Sequence, residues 1–539
     1  MLLTVLFGWL LYRFGVEFFG KRVALMALAL FAFSPAVLAH GKYVTTDVAA
    51  AFGFFTAIVF FLRYLKEPSR KNLIAAGLVF GVAQSLKFSL ILLVPFLLGI
   101  AVLWALSRHF SYSWKACASA LAQWLSRTAL VFIIGYVAVV WPLYQFHVWN
   151  YPAGPNDPTV REEILAAGKA CADLDMARIP PSQFRDTMCN LKTFRPHVLA
   201  DAVAWMSDKP LLRPYAQYAL GTMMVGQRTV GGNTTYFWGE VSRAAWRSYF
   251  PVVYLIKEPL AMHILSLTAL AIVLFALRDR FRMRARLPAS PELQRGEPDG
   301  QARAPFLRRT ASFIEEHFVQ LTLALFILFY WSVSIAANLN IGVRHLMPVF
   351  PFTFLIVSHI ILARLRRKPA IALHISLATV KELASFYKRK ALQYAALVVV
   401  MVWYVVSVAV QYPYFTAYFN ELAGGPQNGW RYVADSNLDW GQDLKRLAAF
   451  AEENGIDKIR LDYFGGGSPS YYLKDKFIGW WSAKGPEPGW FAVSATFIDG
   501  AFGKPIGNFE RSDADSYLWL RGKTPVTAIG HSIFVYKLE

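Results

Sequence analysis

The stretch HGKYVTTDVAAAFGFF, His40 to Phe55, decides how the chain is read. One apolar run ends at His40 and another begins at Val48. Between them stand Lys42, two threonines and Asp47, with the acid at the lip of the second run. A carboxylate at the edge of an apolar helix is costly unless something uses it. Asp47 also suits a simpler role as a helix cap, with Thr45 and Thr46 as alternatives. Outward from this stretch, apolar runs of roughly 17–20 residues recur, long enough to cross a bilayer. The 539 residues are 56% hydrophobic and only 17% charged, and the mean hydropathy is +0.36. The fold class is an α-helical polytopic membrane protein with a small C-terminal extracytoplasmic α/β domain.

Run length and charged flanks predict about ten spans, at 2–19, 23–39, 48–64, 72–86, 88–106, 128–146, 259–277, 318–337, 347–364 and 394–411. The first run starts at Met1 with neither a basic flank nor a small-residue cleavage pattern, and reads as a span. The formal net charge of +20 does not point to nucleic acid, because the basic residues sit in short connections. These are Lys21-Arg22, RYLKEPSRK (63–71), RDRFRMRAR (278–286) with RRT (308–310), and RLRRK (364–368) with KRK (388–390). The positive-inside rule places them in the cytoplasm. His40 to Asp47, the Lys87 turn, NLNIGVRH (338–345) and the C-terminal part then share the other face. Expected localisation is the inner (plasma) membrane, with the active face extracytoplasmic.

Four regions follow. Residues 1–147 hold N-terminal spans, and 148–257 form an external loop with amphipathic segments near 160–172 and 197–225. Residues 258–411 hold the later spans and a cytoplasmic linker at 278–315. Residues 412–539 form the soluble domain, with a helix at 439–455 and strands at 456–465, 489–498 and 532–539. Cys171 and Cys189 share the external loop, where a disulfide persists if it forms; two unpaired thiols are the alternative. No zinc-ligand spacing appears.

Several charges fall at span ends. Lys257 and Arg344 either snorkel towards the headgroups or bind an anion, and Arg is the natural bidentate partner of phosphate. In DSNLDWGQD, Asp435, Asp439 and Asp443 flank Trp440. Acids at a helix start suit its dipole; a sugar-stacking Trp with flanking acids is the functional alternative. An acid and several cations at one boundary suggest a site for a phosphate whose lipid tail stays in the membrane.

HGKYVTTD, SLKFS, YFPVVYLIKEPL, NIGVRHLMP and YFNELAGGPQNGWRYVADSNLDWGQDLKRL together resemble the GT-C superfamily of membrane glycosyltransferases. The nearest likeness is to bacterial relatives of protein O-mannosyltransferase and of the lipid A aminoarabinose transferase. It extends over about residues 1 to 455, carried by the order of the motifs rather than by any one of them. The resemblance implies transfer of a sugar from a polyprenyl-phosphate donor to a protein, lipid or glycan acceptor on the extracytoplasmic face. It implies Asp47 as a catalytic-pocket acid, with Lys87, Lys257, Arg344 and His345 holding the donor phosphate. His40, Asn340, Asp435, Asp439 and Trp440 in the same stretches, with Tyr236 and Glu240 of the Gly- and aromatic-rich GGNTTYFWGE (231–240), are the expected substrate contacts. A divalent metal stays open as a cofactor. The resemblance also implies a second acid in a preceding external loop, which on this plan would lie before Met1, so that the first span and catalytic loop are expected to be missing. A transporter and a noncatalytic membrane scaffold are the rival readings. The transporter is disfavoured because the charges sit at one lip, and no inverted repeat is visible.

Overall fold

The structure is a computed structural model that describes residues 1–43, 45–109, 114–149, 197–207, 209–286, 311–366, 377–507, 509–512, 514 and 516–539. Among them, eight helices are long and apolar enough to cross a membrane: Leu2–Phe19, Thr46–Lys66, Phe88–Arg108, Lys115–Val148, Leu260–Asp279, Phe318–Ala336, Val343–Leu365 and Lys381–Ala409. The other two expected spans are shorter. Ser34 and Pro35 divide residues 23–39 into helices Lys21–Ala32 and Pro35–His40. The second helix starts with Ser34 accepting from the Val37 N–H and Pro35 in its first turn, the usual way a chain restarts a helix. Residues 72–86 lie in Arg70–Leu86, a 17-residue helix.

The chain forms two compact units, Met1–Val48 with Gly232–Leu287 and Tyr330–Glu539, and Ala49–Gly231 with Pro288–Phe329. In the first, Gly20, at φ +88, turns Leu2–Phe19 back into Lys21–Ala32. Helix Phe350–Leu365 packs against Lys21–Ala32 and against Leu260–Arg286. In the span containing it 72% of the residues are buried, against 11% in Lys381–Ala409. That outer helix exposes Val398, Val399, Val402 and Val406, which suits a face against lipid, where exposed apolar side chains cost nothing.

The second unit shows how helices associate where lipid is as apolar as a side chain. Gly77 and Gly81, spaced as GxxxG, lie against Gly135 of the helix Trp114–Gly135. A β-carbon on Gly81 would sit 2.5 Å from the Gly135 carbonyl and 2.8 Å from its Cα. Small residues there let the two backbones meet, and van der Waals packing holds them. Past Gly135 the helix widens into a π turn, Tyr136–Val140, before Trp141–Val148. Pro142 lacks the N–H for a regular bond, and the wider turn absorbs the gap. Next to it Tyr218 donates to Gln84 (2.6 Å), and Gln84 donates to the Leu90 carbonyl (2.9 Å). The amphipathic segment expected at 197–225 is two helices, His197–Ser207 and Arg213–Gly231.

Among the described residues, eight short strands complete the first unit: β1 (Thr235–Phe237), β2 (Glu240–Ser242), β3 (Ile459–Asp462), β4 (Phe477–Gly479), β5 (Gly489–Ser494), β6 (Lys504–Pro505), β7 (Thr527–Ile529) and β8 (Ile533–Leu538). β1 and β2 form a hairpin whose two-residue turn, Trp238-Gly239, has φ of +52 and +85; positive values at both positions match the twist of paired strands. β6 joins β2 in parallel. The remaining strands make a mixed sheet in the order β4-β3-β5-β8-β7. Helix Leu444–Glu453 covers it, with Leu444, Leu447 and Ala451 meeting Ile459, Leu461, Ala492 and Val535 in the core. Two boundaries differ from expectation. The helix begins at 444 because 435–443 is tied into the site below. The strand expected over 489–498 ends at Ser494 and gives way to helix Ala495–Phe502.

Gly81→Ala is expected to lower the thermal unfolding midpoint by several degrees, since overpacking costs about 1–3 kcal/mol. Gly99, whose added β-carbon would meet nothing within 4 Å, serves as the control. Equal midpoints for Gly81→Ala and Gly99→Ala in a detergent thermal-shift assay would remove the close helix contact.

Candidate functional site

Three distant pieces of sequence converge in the first unit: 40–47, 340–345 and 435–443. Asp47 stands in the first turn of the helix Thr46–Lys66. Its Oδ2 accepts from Nη1 of Arg344 at 3.0 Å, with side-chain exposures of 2% and 14%. Arg344 follows Gly342, which has φ +141 and passes so close to Ser436 that a β-carbon would lie 2.7 Å from its Oγ. Only glycine fits that backbone and that gap. The guanidinium is held on two further sides. Nε donates to Ser436 Oγ at 3.0 Å, and the plane lies 3.8 Å from the centre of the Trp440 ring. Ser436 Oγ itself donates to the Ile341 carbonyl, which leaves it an acceptor towards Arg344.

Asn437, fully buried, stitches the pieces together. Its Oδ1 accepts from the Val343 N–H (2.9 Å), and its Nδ2 reaches Tyr249 OH (2.9 Å) and the Ala434 carbonyl. Its carbonyl receives the Lys257 ammonium, which also donates to Thr416 O at 2.9 Å and lies 4.2 Å from the Phe419 ring centre. Lys257 is 5% exposed and its neighbour Glu258 1%. Burial pushes both towards their neutral forms, Lys257 down and Glu258 up. Asn420 ties this segment to the Leu255 and Glu258 carbonyls.

His40 ends the helix Pro35–His40 and meets the Trp440 ring edge-on at 6.2 Å. Burial, against the opposing pull of Asp47, lowers its pKa to about 3. It is therefore a neutral imidazole, with Nδ1 buried and without a partner. Asp439 is buried too. Its Oδ1 accepts from the Gly441 N–H at 3.0 Å. Burial raises its pKa to about 7, with Asp443 and Asp435 adding to the rise. Asp443 is bound by Arg446, Gln442 and Ser532. Asp435 adopts φ +53 and accepts from the next N–H, a conformation Asp tolerates.

The structure thus brings together Asp47, Arg344, His40, Trp440, Asp435 and Asp439, with Lys257 in the layer behind Asn437. Asn340 is a buried brace, its Oδ1 accepting from the Trp246 N–H and its carbonyl from Thr235. His345 sits beside the Phe250 ring. Tyr236 and Glu240 lie on the β1–β2 hairpin, where Tyr236 OH donates to the Arg431 carbonyl. Lys87 belongs to the second unit, at the end of helix Arg70–Leu86. Cys171, Cys189, the segment 160–172 and the linker residues 287–310 lie outside the described residues; Cys117 is a buried free thiol. Among the described residues no three His, Cys, Asp or Glu side chains are grouped so as to hold a metal ion. Sequence reading passed over Ser436, Asn437, Thr416 and Glu258. The first two stand inside DSNLDWGQD, where small polar residues look like turn formers until their burial is known.

The raised Asp439 pKa carries a sign for stability. The folded state holds this proton more tightly than the unfolded chain, so the contribution is full below about pH 4 and is lost as pH rises towards 7. Asn at this position keeps the bond from Gly441 and never ionises. The stability of Asp439→Asn relative to wild type is expected to improve by roughly 2–3 kcal/mol between pH 5 and pH 8. Unfolding followed at both pH values checks this; a constant difference would mean that Asp439 is ionised throughout.

Comparison with known proteins returns one finding. Residues 1–132 match the model of a family described as dolichyl-phosphate-mannose-protein mannosyltransferase. No curated protein matches the chain, and no solved structure does. The matched region includes Asp47, and the helical architecture continues well beyond it. Together, the match and the eight apolar helices support a polytopic membrane glycosyltransferase of the GT-C type.

Proposed function

We propose that this glycosyltransferase takes a sugar from a polyprenyl-phosphate donor and transfers it to an acceptor hydroxyl or phosphate on the extracytoplasmic side. The observation that carries the reading is the Arg344 guanidinium, fixed at the membrane end of a buried span by Asp47, Ser436 and Trp440. A polyprenyl phosphate keeps its anion at headgroup level, because its chain cannot leave the apolar phase. A cation that meets it must therefore stand at the end of a span.

For a hydroxyl acceptor, the oxygen attacks the anomeric carbon as the bond from that carbon to the phosphate oxygen breaks. The acceptor proton passes to a carboxylate, and polyprenyl phosphate leaves with one more negative charge than it had in the donor. Positive charge already in place where that charge develops lowers the barrier. Arg344 supplies it, and Asp47 orients the acceptor hydroxyl. Lys257 has a different part, holding the Thr416 and Asn437 backbones beneath the guanidinium. Trp440 already gives one ring face to Arg344, so a sugar would stack on the other. These roles use protein groups alone.

Arg344→Lys is expected to reduce transfer from a polyprenyl-phosphate sugar roughly tenfold to a hundredfold, because lysine keeps the charge but loses the planar fork. The rate in purified membranes at matched expression is the measurement. An unchanged rate would leave Arg344 an interfacial anchor. Sidedness has its own test, in a background without native cysteines. Tyr471→Cys, in the soluble domain, is expected to react with an impermeant maleimide on intact cells, and Arg282→Cys only after permeabilisation. The reverse pattern would put the site on the cytoplasmic side and end the proposal. Movement of a solute across vesicles without sugar transfer would instead favour a transporter.

A further inference from the structure

We propose that the Asp47 carboxylate occupies the seat of the donor phosphate on Arg344, so that donor binding and release of Asp47 from the ion pair are one event. This rests on the glycosyltransferase reading above and goes a step past it, from who binds the phosphate to what the phosphate displaces.

The geometry leads there. Arginine offers five N–H donors in one plane. In this protein the plane cannot swing freely, because Trp440 covers one face at 3.8 Å and Nε is held by Ser436 Oγ at 3.0 Å. Both restraints come from the 435–440 segment and neither needs Asp47. They aim the remaining edge, with Nη1, at a fixed spot, and that spot holds Asp47 Oδ2 at 3.0 Å. A carboxylate and a phosphodiester both present paired oxygens to a planar guanidinium fork, so the edge that fits one fits the other.

Charge makes exchange the better outcome than simple addition. Asp47 is 2% exposed, so a phosphate placed beside it would set two anions against one guanidinium in a poorly screened pocket. His40 and Lys257 do not relieve this. His40 is neutral. Lys257 points its ammonium at the carbonyls of Thr416 and Asn437. Moving the guanidinium edge from carboxylate to phosphate keeps one cation on one anion. It also leaves Asp47 unpaired from Arg344 only when a donor is present, which is when an acceptor hydroxyl needs it. Without a donor, the carboxylate stays engaged.

The experiment measures the affinity of the full chain, in nanodiscs, for a short-chain polyprenyl phosphate. Asp47→Asn is expected to bind it about tenfold more tightly than wild type, the size of one charge-assisted bond no longer contested. In an Arg344→Gln background the same substitution is expected to change affinity less than about threefold, because the contested group is gone. Equal or weaker binding by Asp47→Asn overturns the proposal. So does equal tightening in both backgrounds, which would mean plain repulsion. Should Asp47→Asn not fold, a structure of the wild-type chain with polyprenyl phosphate bound decides. The Asp47–Arg344 contact is expected to open beyond 4 Å, and an intact contact beside bound phosphate overturns the idea. Wild type that transfers sugar but shows no such competition sinks this inference alone. Wild type that neither binds the phosphate nor transfers sugar sinks the glycosyltransferase reading with it.

Discussion

The first unit is organised around one partly buried guanidinium. Arg344 is only 14% exposed and carries a charge that must be answered on every side. A buried ion pair contributes little net stability, because desolvation consumes most of the attraction, yet removing one partner is expensive. The consequence is specificity rather than strength. Once Arg344 is placed, Asp47 must stand at the start of its helix, Ser436 must turn its hydroxyl oxygen inward, and Trp440 must lie flat. Gly342 must lack a side chain to let the two loops pass. These residues come from three stretches far apart in sequence, 40–47, 340–345 and 435–443, and together they fix how the C-terminal domain seats on the ends of its own unit's helices.

Behind that layer, backbone carbonyls do the work usually given to carboxylates. The Lys257 ammonium rests on two carbonyls and an aromatic face. A lysine buried in this way is expensive when charged, and its affinity for the proton falls accordingly. Its value is geometric, because from the segment before helix Leu260–Arg286 it reaches across to two separate points of the C-terminal part, Thr416 and Asn437. Asn437 repeats the pattern with a neutral amide, filling both its acceptor and its donor capacity inside the protein. A buried amide so fully used defines the fold more sharply than an apolar residue of the same size would.

The spans were legible because apolar length is a one-dimensional signal. Eight of the ten expected runs are helices long enough to cross, and the two exceptions fail for local reasons, Ser34-Pro35 in one and mere length in the other. The strands of the C-terminal sheet were readable at β3, β5 and β8, whose side chains alternate or run apolar. β4 and β7 were not, being three residues each and held by their neighbours rather than by their own composition. The glycine contact at Gly77, Gly81 and Gly135 was present in the sequence as a spacing, but what Gly81 faces depends on a helix more than fifty residues away. The site was half visible. Asp47, Arg344, His40 and Trp440 stood out because charge and aromatic rings at span ends are unusual. Ser436 and Asn437 did not, since a small polar residue reveals its role only through burial and direction. Lys257 was seen, but as a cation free to meet a ligand, and its carbonyl partners could not be known from spacing.

The position of the charges bears on the class of chemistry. Asp47 lies in the first turn of its span, Arg344 just before helix Phe350–Leu365, and Lys257 just before Leu260–Arg286. A solute pathway would need polar groups at mid-span, where broken helices expose backbone to a cavity. Here helix Phe350–Leu365 is almost wholly apolar, with Thr353, Ser358 and His359 the exceptions before Arg364, and Thr353 returns its hydroxyl to the turn before it. In this span the charge that meets Ser436 and Trp440 of the C-terminal part, Arg344, stands at the end. That division suits a reaction whose reactive group is polar and whose handle is a hydrocarbon chain. For the donor proposed above, the helices would hold the chain's phase, Arg344 at a span end would meet the phosphate, and the C-terminal part would close the polar side.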